Sequence, residues 1–384
     1  CVKLNAQTTT IPDANFEQQL ISLGYDTNGL NGNILNSDAQ AVTTLTLTGN
    51  TITDLTGLQA FVNVVTLNLG SNQFATVPTN TLVDLEELVF NNNLALANID
   101  LSNNLNLKKL DMRAPGSGSS GPITLIDLSN NVQLEYIHIY AFYSLQNVIF
   151  PVTNTVEYVY LLMFANITVD FSGYDNLETL SLSTNFNNSF AISVVLPTNQ
   201  NTLQSASFQG GNIVNANFST QLALEYLSMQ NTNTQTLSLP ITTTLKTIRI
   251  SSHLIDNVSF ANASELNDLS ITNKSVNIPL NIDISQNLLL KKLNASSNYM
   301  TAIDVSQNTI LEDMNVSNNQ LTSLNLTQNI LLENLNANRN LLPTLNLNQN
   351  AALVTLSVNN NLLPNLDITP NILLNSVDIS YNLF

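Results

Sequence analysis

The feature that most constrains the fold of this chain is a segment that returns every 21 residues near its C-terminal end. The segment reads LKKLNASSNYM, LEDMNVSNNQL, LENLNANRNLL, LVTLSVNNNLL and LNSVDISYNLF, beginning at Leu290, Leu311, Leu332, Leu353 and Leu374. Each copy fits LxxLx(L/V/A/I)xxNx(L/M/F), whose residues are numbered as positions 1 to 11. The residues in between repeat in the same register, placing Asn308, Asn329, Asn350 and Asn371 again 21 apart. Two coincident repeats of one length predict a stacked, repetitive architecture.

The same pattern extends upstream through most of the chain. Further copies begin at Val42, Val64, Leu85, Leu107, Leu134, Val156, Leu177, Leu203, Leu224, Leu245 and Leu266, which makes sixteen turns over residues 42–384. The interval after Leu107 is longer and contains the run Gly116–Gly121, GSGSSG. Because the repeat resumes directly afterwards, this run predicts a surface loop rather than a domain linker.

Positions 4 to 6 alternate apolar, polar, apolar, which predicts a short strand in every block. One such strand cannot bury its apolar side alone, so successive strands are expected to stack into a parallel sheet over a continuous core. The Asn at position 9 follows the strand, where its amide can bond backbone groups that the turn leaves unpaired. We therefore predict a structural ladder of Asn side chains.

The pattern resembles the leucine-rich repeat family, whose signature is LxxLxLxxNxL. The resemblance implies an α/β solenoid, a curved right-handed superhelix of about 16 repeats of 21–22 residues. In such a fold the parallel sheet lines the concave face, and a short helical cap closes the N-terminal end.

Residues 11–41 differ from the repeats and are predicted to form this cap. Phe16, Leu20 and Leu23 are spaced as one face of a helix, and Gly24 follows them. The stretch from IPDANFEQQLI to ITDLTGLQAF resembles the N-terminal cap of secreted and cell-surface leucine-rich repeat proteins of the Bacteroidetes group. That resemblance implies a bacterial protein outside the cytoplasm.

Within the cap, the stretch from Asp26 to Asp38 is similar to a calcium loop of DxNxDGxI type. It departs from that type because Leu30 is an insertion and Asn31 stands where calcium sites favour a carboxylate. A plain Asn/Gly turn is the favoured interpretation, so no metal ligand and no cofactor are assigned. Calcium binding by Asp26, Asn28, Asn31 and Asp38 remains the alternative.

The first ten residues of the chain resemble a location signal. Residues 1–10 begin CVKLNAQ, which fits the remnant of a secretory signal, a lipoprotein N-terminus with a lipid anchor at Cys1, or a segment foreign to the protein. The first two of these interpretations predict an extracellular or outer-surface location.

Phe384 is position 11 of a block with no polar capping unit after it, so we expect the solenoid to continue or another domain to follow.

Composition excludes several classes of function. Ten Lys and Arg against 27 Asp and Glu give 10 − 27 = −17, which comes close to excluding a nucleic-acid binder because such proteins need a basic surface. No apolar run approaches the roughly 18 residues of a membrane helix. One Cys and two widely separated His offer no zinc site.

The sequence also predicts that the protein is not an enzyme. Neither His138 nor His253 has a GxSxG nucleophile motif beside it, and no phosphate loop GxxxxGK(S/T) or HExxH motif occurs. The acidic residues fall singly on exposed repeat positions, although paired carboxylates are not excluded by the sequence.

Positions 3, 5 and 7 of each block are expected to point outward from the concave sheet, and most are small and polar. Three consecutive blocks differ, and their outward residues are the candidate binding residues: Lys109, Asp111, Arg113, Tyr136, His138, Tyr140, Tyr158 and Tyr160. Tyrosine is enriched at recognition sites, so we predict an exposed binding surface. The alternative is that the rings only fill grooves between strands, since the same blocks replace the position 9 Asn by Pro115, Phe142 and Phe164. Tyr226 and Arg249 are weaker candidates.

Together these features predict a monomeric, non-enzymatic, extracellular or cell-surface adhesion-type protein that binds a protein or a glycan. One alternative is a structural spacer that presents a further C-terminal domain. Another is a surface protein that captures polysaccharide, because a Tyr-rich polar face suits sugar rings as well.

Overall fold

The structure is a computed structural model that describes residues 7–49, 51–93, 95–114, 121–184, 189–241 and 244–384. It divides into two compact units, Cys1–Asn185 with Phe190–Thr198 and Phe186–Ser189 with Asn199–Phe384. The predicted lipid-anchor residue Cys1, most of the Gly116–Gly121 run and Pro115 lie outside the described residues.

Each of the sixteen predicted blocks contributes one strand to parallel sheet structure. In the first unit these strands are Thr44–Thr46, Thr66–Asn68, Glu87–Val89, Lys109–Arg113, Tyr136–Phe142, Tyr158–Met163 and Thr179–Ser183. In the second unit they are Ser205–Gln209, Tyr226–Gln230, Thr247–Ser251, Asp268–Thr272, Lys292–Asn294, Asp313–Asn315, Asn334–Asn336, Thr355–Ser357 and Ser376–Asp378. Neighbouring strands pair in parallel at equivalent positions, for example Leu293 with Met314. The parallel-sheet solenoid predicted from the 21-residue interval is confirmed.

The strands begin one residue earlier than predicted. The shortest ones cover positions 3 to 5, as in Asp313–Asn315 of the Leu311 block, rather than positions 4 to 6. The apolar side chains at positions 4 and 6, here Met314 and Val316, are buried as expected. Position 6 nevertheless lies outside the strand, because its carbonyl oxygen accepts hydrogen bonds from asparagine side chains instead of a neighbouring strand.

Five further pairs of parallel strands lie on the return side of the solenoid. They are Thr76–Val77 with Asn98–Ile99, Leu125–Asp127 with Asn147–Ile149, Ile167–Asp170 with Ile192–Val195, Asn215–Asn217 with Thr236–Ser238, and Asn257–Ser259 with Asn281–Asp283. A second row of buried Asn supports this side. Asn308, for example, donates its amide N–H groups to the carbonyls of Ile284 and Asn287.

The N-terminal region forms two helices, α1 (Ala14–Ser22) and α2 (Asn36–Gln40), with an antiparallel pair of strands, Thr8–Thr10 and Asn33–Leu35. A 3₁₀ turn follows at Leu58–Ala60. The Asp13 side chain caps α1 by accepting the backbone N–H groups of the first helical turn.

The apolar face predicted for α1 is partly correct. Phe16 and Leu20 are fully buried, and the Phe16 ring lies 6.4 Å from that of Phe61. Leu23 is 40% exposed, so its place on this face was wrong. The reason is that α1 ends at Ser22 and the chain reverses at Gly24, whose φ of 77° only glycine adopts readily.

The Asn ladder predicted at position 9 is present. Asn319 donates its amide to the carbonyls of Ala295 (2.9 Å) and Val316 (3.0 Å), and its oxygen accepts from the backbone of Asn298 (2.9 Å) and Met300 (3.1 Å). Each rung therefore bonds backbone of its own turn and of the preceding one.

The neighbouring position 8 is more constrained than the sequence indicates. Asn318 is exposed, but its φ is +55°, in the left-handed region. The equivalent residues Asn92, Ser297, Arg339 and Asn360 share this conformation. Because alanine is strained where φ is positive, we expect Asn318→Ala to lower stability although this side chain is exposed.

Candidate functional site

The eight candidate binding residues lie on three neighbouring strands of the first unit. The strand Tyr136–Phe142 lies between Lys109–Arg113 and Tyr158–Met163. In register, Tyr136 lies between Lys109 and Tyr158, His138 between Asp111 and Tyr160, and Tyr140 beside Arg113. The period of two along a strand thus brings all eight to one face of the sheet.

The two aromatic strands are the longest of the sheet because their turns are built differently. Phe142 stands at position 9 of its block and is fully buried, so it fills the turn with apolar volume where other blocks have Asn. The strand continues past Tyr140 through a bulge at Ala141, whose φ is +66°. Phe164 occupies position 9 of the next block and stacks on Tyr143 with ring centroids 3.9 Å apart.

Tyr136, His138, Tyr140, Tyr158 and Tyr160 form one continuous cluster, called the aromatic patch. The rings of His138 and Tyr160 lie 5.3 Å apart, and the ring of Tyr136 lies 6.0 Å from Tyr160 and 6.2 Å from Tyr158. Tyr140 meets His138 edge-on at 6.1 Å. These separations are within the range of favourable aromatic pairs, so the rings hold one another in place.

The patch is less exposed than predicted. Tyr140 is exposed, at 43% of its full area, but Tyr136, His138, Tyr158 and Tyr160 are each half-buried. The expectation that all five are substantially exposed was therefore wrong for four of them. Large side chains on strands so closely spaced lean against one another and cover each other's edges.

Asp111 is the candidate that the structure places least as expected. The sequence predicts an outward charge, but Asp111 is only 5% exposed. Arg113 donates to both of its oxygens, Nε to Oδ1 at 2.8 Å and Nη2 to Oδ2 at 2.5 Å. His138 Nδ1 lies 3.6 Å from Asp111 Oδ1 and 3.2 Å from the Tyr136 hydroxyl. Asp111 therefore orients its neighbours rather than facing a ligand.

Lys109 lies at the opposite end of the strand from Arg113. Its Nζ lies 5.9 Å from the centre of the Tyr136 ring and 3.8 Å from Glu87 Oε2. It borders a groove of about 470 Å³ that also includes Glu157 and Tyr158. The Tyr158 hydroxyl donates to Glu178 Oε2 at 3.1 Å.

The surroundings of the patch shift the pKa values of His138, Tyr136 and Tyr158 in the direction that favours their neutral forms. Burial lowers the pKa of His138, the Arg113 charge lowers it further, and Asp111 opposes both. Burial and the Asp111 charge raise the pKa of Tyr136, while the hydrogen bond to Glu178 raises that of Tyr158. The surface therefore offers neutral rings and hydroxyls beside the guanidinium of Arg113.

The weaker candidates Tyr226 and Arg249 lie in the second unit. Tyr226 is half-buried, and Arg249 donates to Asp268 Oδ2 at 2.6 Å. Arg249 and Asp268 border a polar groove of about 560 Å³ that Lys292 also lines. The sequence signal for this ion pair is a basic residue at position 5 followed by an acidic one at position 3 of the next block.

The second histidine has a structural role that sequence reasoning did not identify. His253 stands at position 9 of the Leu245 block and is fully buried. Its Nδ1 accepts the backbone N–H of Ile255 (3.1 Å), and its Nε2 lies 3.2 Å from Asn298 Oδ1. His253 thus takes the place of a ladder Asn. Position 9 of the next block holds Lys274, which is also buried and donates to the Ile255 carbonyl and to Asp256.

Comparison with known structures identifies the fold. A scan against models of protein families finds no match, and a search of curated proteins finds none either. The functional domain of InlJ from Listeria monocytogenes has a TM-score of 0.69 at 20% identity, over 94% of this chain and 78% of that one. A leucine-rich repeat protein of Leptospira interrogans has a similar structure, with a TM-score of 0.55 at 17% sequence identity. The match covers 90% of this chain and 80% of that protein. What they share with this chain is the leucine-rich repeat fold.

A plant receptor has a similar fold. The peptide hormone receptor RGFR1, in complex with RGF2, gives a TM-score of 0.56 at 17% identity, over 91% of this chain and 68% of the receptor. In the part of the chain that the structure describes, no helix is long and apolar enough to cross a membrane.

Proposed function

We propose that this chain is a non-enzymatic bacterial recognition protein, secreted or held at the cell surface, that binds a partner through the aromatic patch. The observation that carries the proposal is a preformed cluster of four Tyr and one His on strands whose equivalent positions in the other blocks are mostly small and polar. The resemblance of the cap, residues 11–41, to that of Bacteroidetes surface proteins supports the location.

The construction of the patch favours binding over a purely structural role. Ring contacts and hydrogen bonds already fix Tyr136, His138 and Tyr158, so little side-chain entropy remains to be lost when a partner docks. Tyr140 and Arg113 lie side by side and are the exposed members at one end of the strands. Tyr and Arg are the residue types that most often dominate binding energy.

A protein partner fits this arrangement best. The exposed pair joins a flat ring to a guanidinium whose Nε and Nη2 bind Asp111, so that its remaining N–H groups can donate to backbone carbonyls of a polypeptide. The complex of RGFR1 with RGF2 is an instance of peptide binding by a receptor of this fold. A glycan remains the second class of ligand, because neutral tyrosine rings also stack on sugars.

The test is to probe protein and glycan arrays with the chain and with Tyr140→Ala and Arg113→Ala variants. Each substitution should reduce affinity for the captured ligand by about 2 kcal/mol, or roughly 30-fold. Ser207→Ala, which changes a half-buried polar residue on the strand Ser205–Gln209 of the second unit, is the control and should bind normally. Full binding by both patch variants would place the ligand elsewhere, and the absence of any ligand would favour the spacer role.

A further inference from the structure

The aromatic patch is bordered by a row of carboxylates. Position 2 of three consecutive blocks holds Glu135, Glu157 and Glu178, called the glutamate row, each directly before a strand of the sheet. Their backbones lie side by side, because the N–H of Glu157 donates to the Glu135 carbonyl at 2.9 Å and that of Glu178 to the Glu157 carbonyl at 2.9 Å. Like charges on neighbouring strands repel one another, so the row costs the fold stability.

The groove of about 470 Å³ beside Lys109 joins this row to the rings. Glu135, Glu157, Tyr136 and Tyr158 are all part of its lining. Its volume is within the range of sites that hold a small ligand, so there is room for one long side chain of a partner. Glu135 is exposed and Glu157 is half-buried. A side chain that enters the groove therefore meets tyrosine rings and carboxylates together.

The positive charges around the groove are already paired. The three basic residues of its lining each have a carboxylate of the same lining as partner: Lys108 with Glu86, Lys109 with Glu87 and Arg113 with Asp111. No Lys or Arg occurs in the sequence between Arg113 and Lys246. Among the described residues, Glu135 and Glu157 thus have no cation as an ion-pair partner.

Lys109 shows how this groove holds a cation. Its Nζ lies 5.9 Å from the centre of the Tyr136 ring and 3.8 Å from Glu87 Oε2, so a ring and a carboxylate act together on one charge. Tyr158, on the next strand, also lies beside carboxylates, those of Glu157 and Glu178. Its other strand neighbour is Thr179, so this second combination of ring and carboxylate has no cation from the chain.

The lining favours arginine over the other cationic side chains. A guanidinium is planar, stacks on an aromatic ring and donates two parallel N–H groups to a carboxylate. It is also more weakly hydrated than the ammonium of lysine, so it loses less on entering a groove. A neutral glycan would leave the charges of Glu135 and Glu157 without a counter-charge.

We propose that the groove takes an arginine side chain of the partner protein, with the guanidinium on the Tyr158 ring and bonded to Glu135 and Glu157. This assignment rests on the proposed function, because it names the class of partner that the aromatic patch binds. That partner is a polypeptide with an exposed basic residue. The partner's charge also relieves the repulsion within the glutamate row.

The first experiment uses peptides as probes. An array carries short, end-blocked peptides with a central arginine, and beside each one the same peptide with lysine or with citrulline, which has the shape of arginine without its charge. The full chain should capture arginine peptides, bind the lysine copies more weakly and leave the citrulline copies unbound. The affinity should fall as the salt concentration rises, since an ion pair is screened.

Substitutions then locate the charge. Glu157→Gln keeps the shape of the side chain and should weaken the captured peptides about tenfold, because a charge-assisted hydrogen bond is lost. Glu135→Gln should act in the same direction. Neither substitution should lower the Tm, since each removes a like charge from the row, whereas a purely structural carboxylate would lower it. Glu333→Gln is the matched control: Glu333 is exposed at position 2 of the Leu332 block, with Asn334 in place of a tyrosine, and this variant should bind normally.

The proposal is overturned if citrulline copies bind as tightly as arginine peptides, or if Glu135→Gln and Glu157→Gln both bind like the parent chain. A ligand that depends on Tyr140 and Arg113 but on neither glutamate would leave the aromatic patch as a binding surface and refute only the arginine assignment. A ligand that depends on none of these four residues would refute the proposed function as well.

Discussion

The blocks of this solenoid are of two kinds, distinguished by the residue at position 9 and by the length of the strand. Where the described position 9 residue is Asn, as in the blocks beginning at Val64, Leu85 and Leu290 onward, the strand has three residues. Where it is Phe142, Phe164, Gly211, Thr232, His253 or Lys274, the strand has five or more. Asn185, at position 9 of the Leu177 block, lies outside the described residues.

Hydrogen bonding explains the difference. A ladder Asn donates to the position 6 carbonyls of its own turn and of the preceding one, as Asn319 does to Val316 and Ala295. Those carbonyls are then unavailable to a longer strand pairing. Without the Asn, pairing runs on to position 7, and the residue there becomes a fixed outward member of the sheet. Arg113 and Tyr140, the exposed members of the candidate site, both stand at position 7.

The strongest way to break this comparison is to remove the apolar turn of an Asn-free block. Phe142→Ala should lower the free energy of unfolding by about 4 kcal/mol, because a fully buried ring leaves a cavity. Denaturant midpoints of the variant and of Tyr140→Ala, two residues earlier but exposed, provide the measurement. Similar midpoints would mean that the Phe142 ring does not fill the core of its turn.

The His253 block should show a pH dependence that the Asn blocks lack. Burial lowers the pKa of His253 to about 4; Asn298 and Asp256 oppose the shift, and Lys274 adds to it. The folded chain therefore keeps this residue neutral, while the unfolded chain takes up a proton below about pH 6.5. Stability should be fully present above pH 6.5 and fall as the pH drops towards 4, by about 3 kcal/mol for this residue.

The matched variant His253→Asn restores the ladder residue and removes the titrating group. Urea unfolding of the two chains between pH 7 and pH 4.5 should show that the difference in their free energies of unfolding changes with pH, because only the parent chain loses stability through His253. A constant difference would show that His253 is not the proton acceptor.

The ladder itself is tested by a neighbouring pair of substitutions. Asn319→Ala should cost about 2 kcal/mol, because it leaves buried backbone groups unsatisfied. Asn318→Ala should cost about 1 kcal/mol through backbone strain at positive φ. Asn318→Gly relieves that strain and should be nearly neutral in thermal unfolding. If all three variants melted together, the assigned register of the turn would be wrong.

The smallest expected effect is a gain. Ala141 occupies position 8 of a block without the position 9 Asn, and its φ is +66°. Alanine has no polar side chain that could stabilise this conformation by a local hydrogen bond, as Asn can. Ala141→Gly should raise stability by about 0.5–1 kcal/mol, measured as a higher Tm. A lower Tm would indicate that the methyl group packs better than its backbone conformation costs.

The sequence predicted the repeat, the strand of each block and the Asn ladder because these recur at a fixed interval. It did not predict strand length, since that depends on which carbonyls Asn319 and its equivalents bond. It placed Asp111 outward because alternate residues of a strand face the same side, but Arg113 and His138 cover this short side chain. The alternation along a strand gives the direction of a side chain but not how far its larger neighbours cover it. The exposure of the aromatic patch could therefore be read only from the structure.

The bonds of Asn319 have a consequence for how such a chain can change in evolution. Its partners lie in its own turn and the one before, and Asn340 repeats three of its four bonds one turn later. Loss of residues 311–331 would place Asn340 opposite Asn298 with every rung again matched. Loss of a single residue would instead displace one rung from its carbonyls. From Leu290 onward, whole turns of 21 residues can therefore be duplicated or deleted without disturbing the ladder.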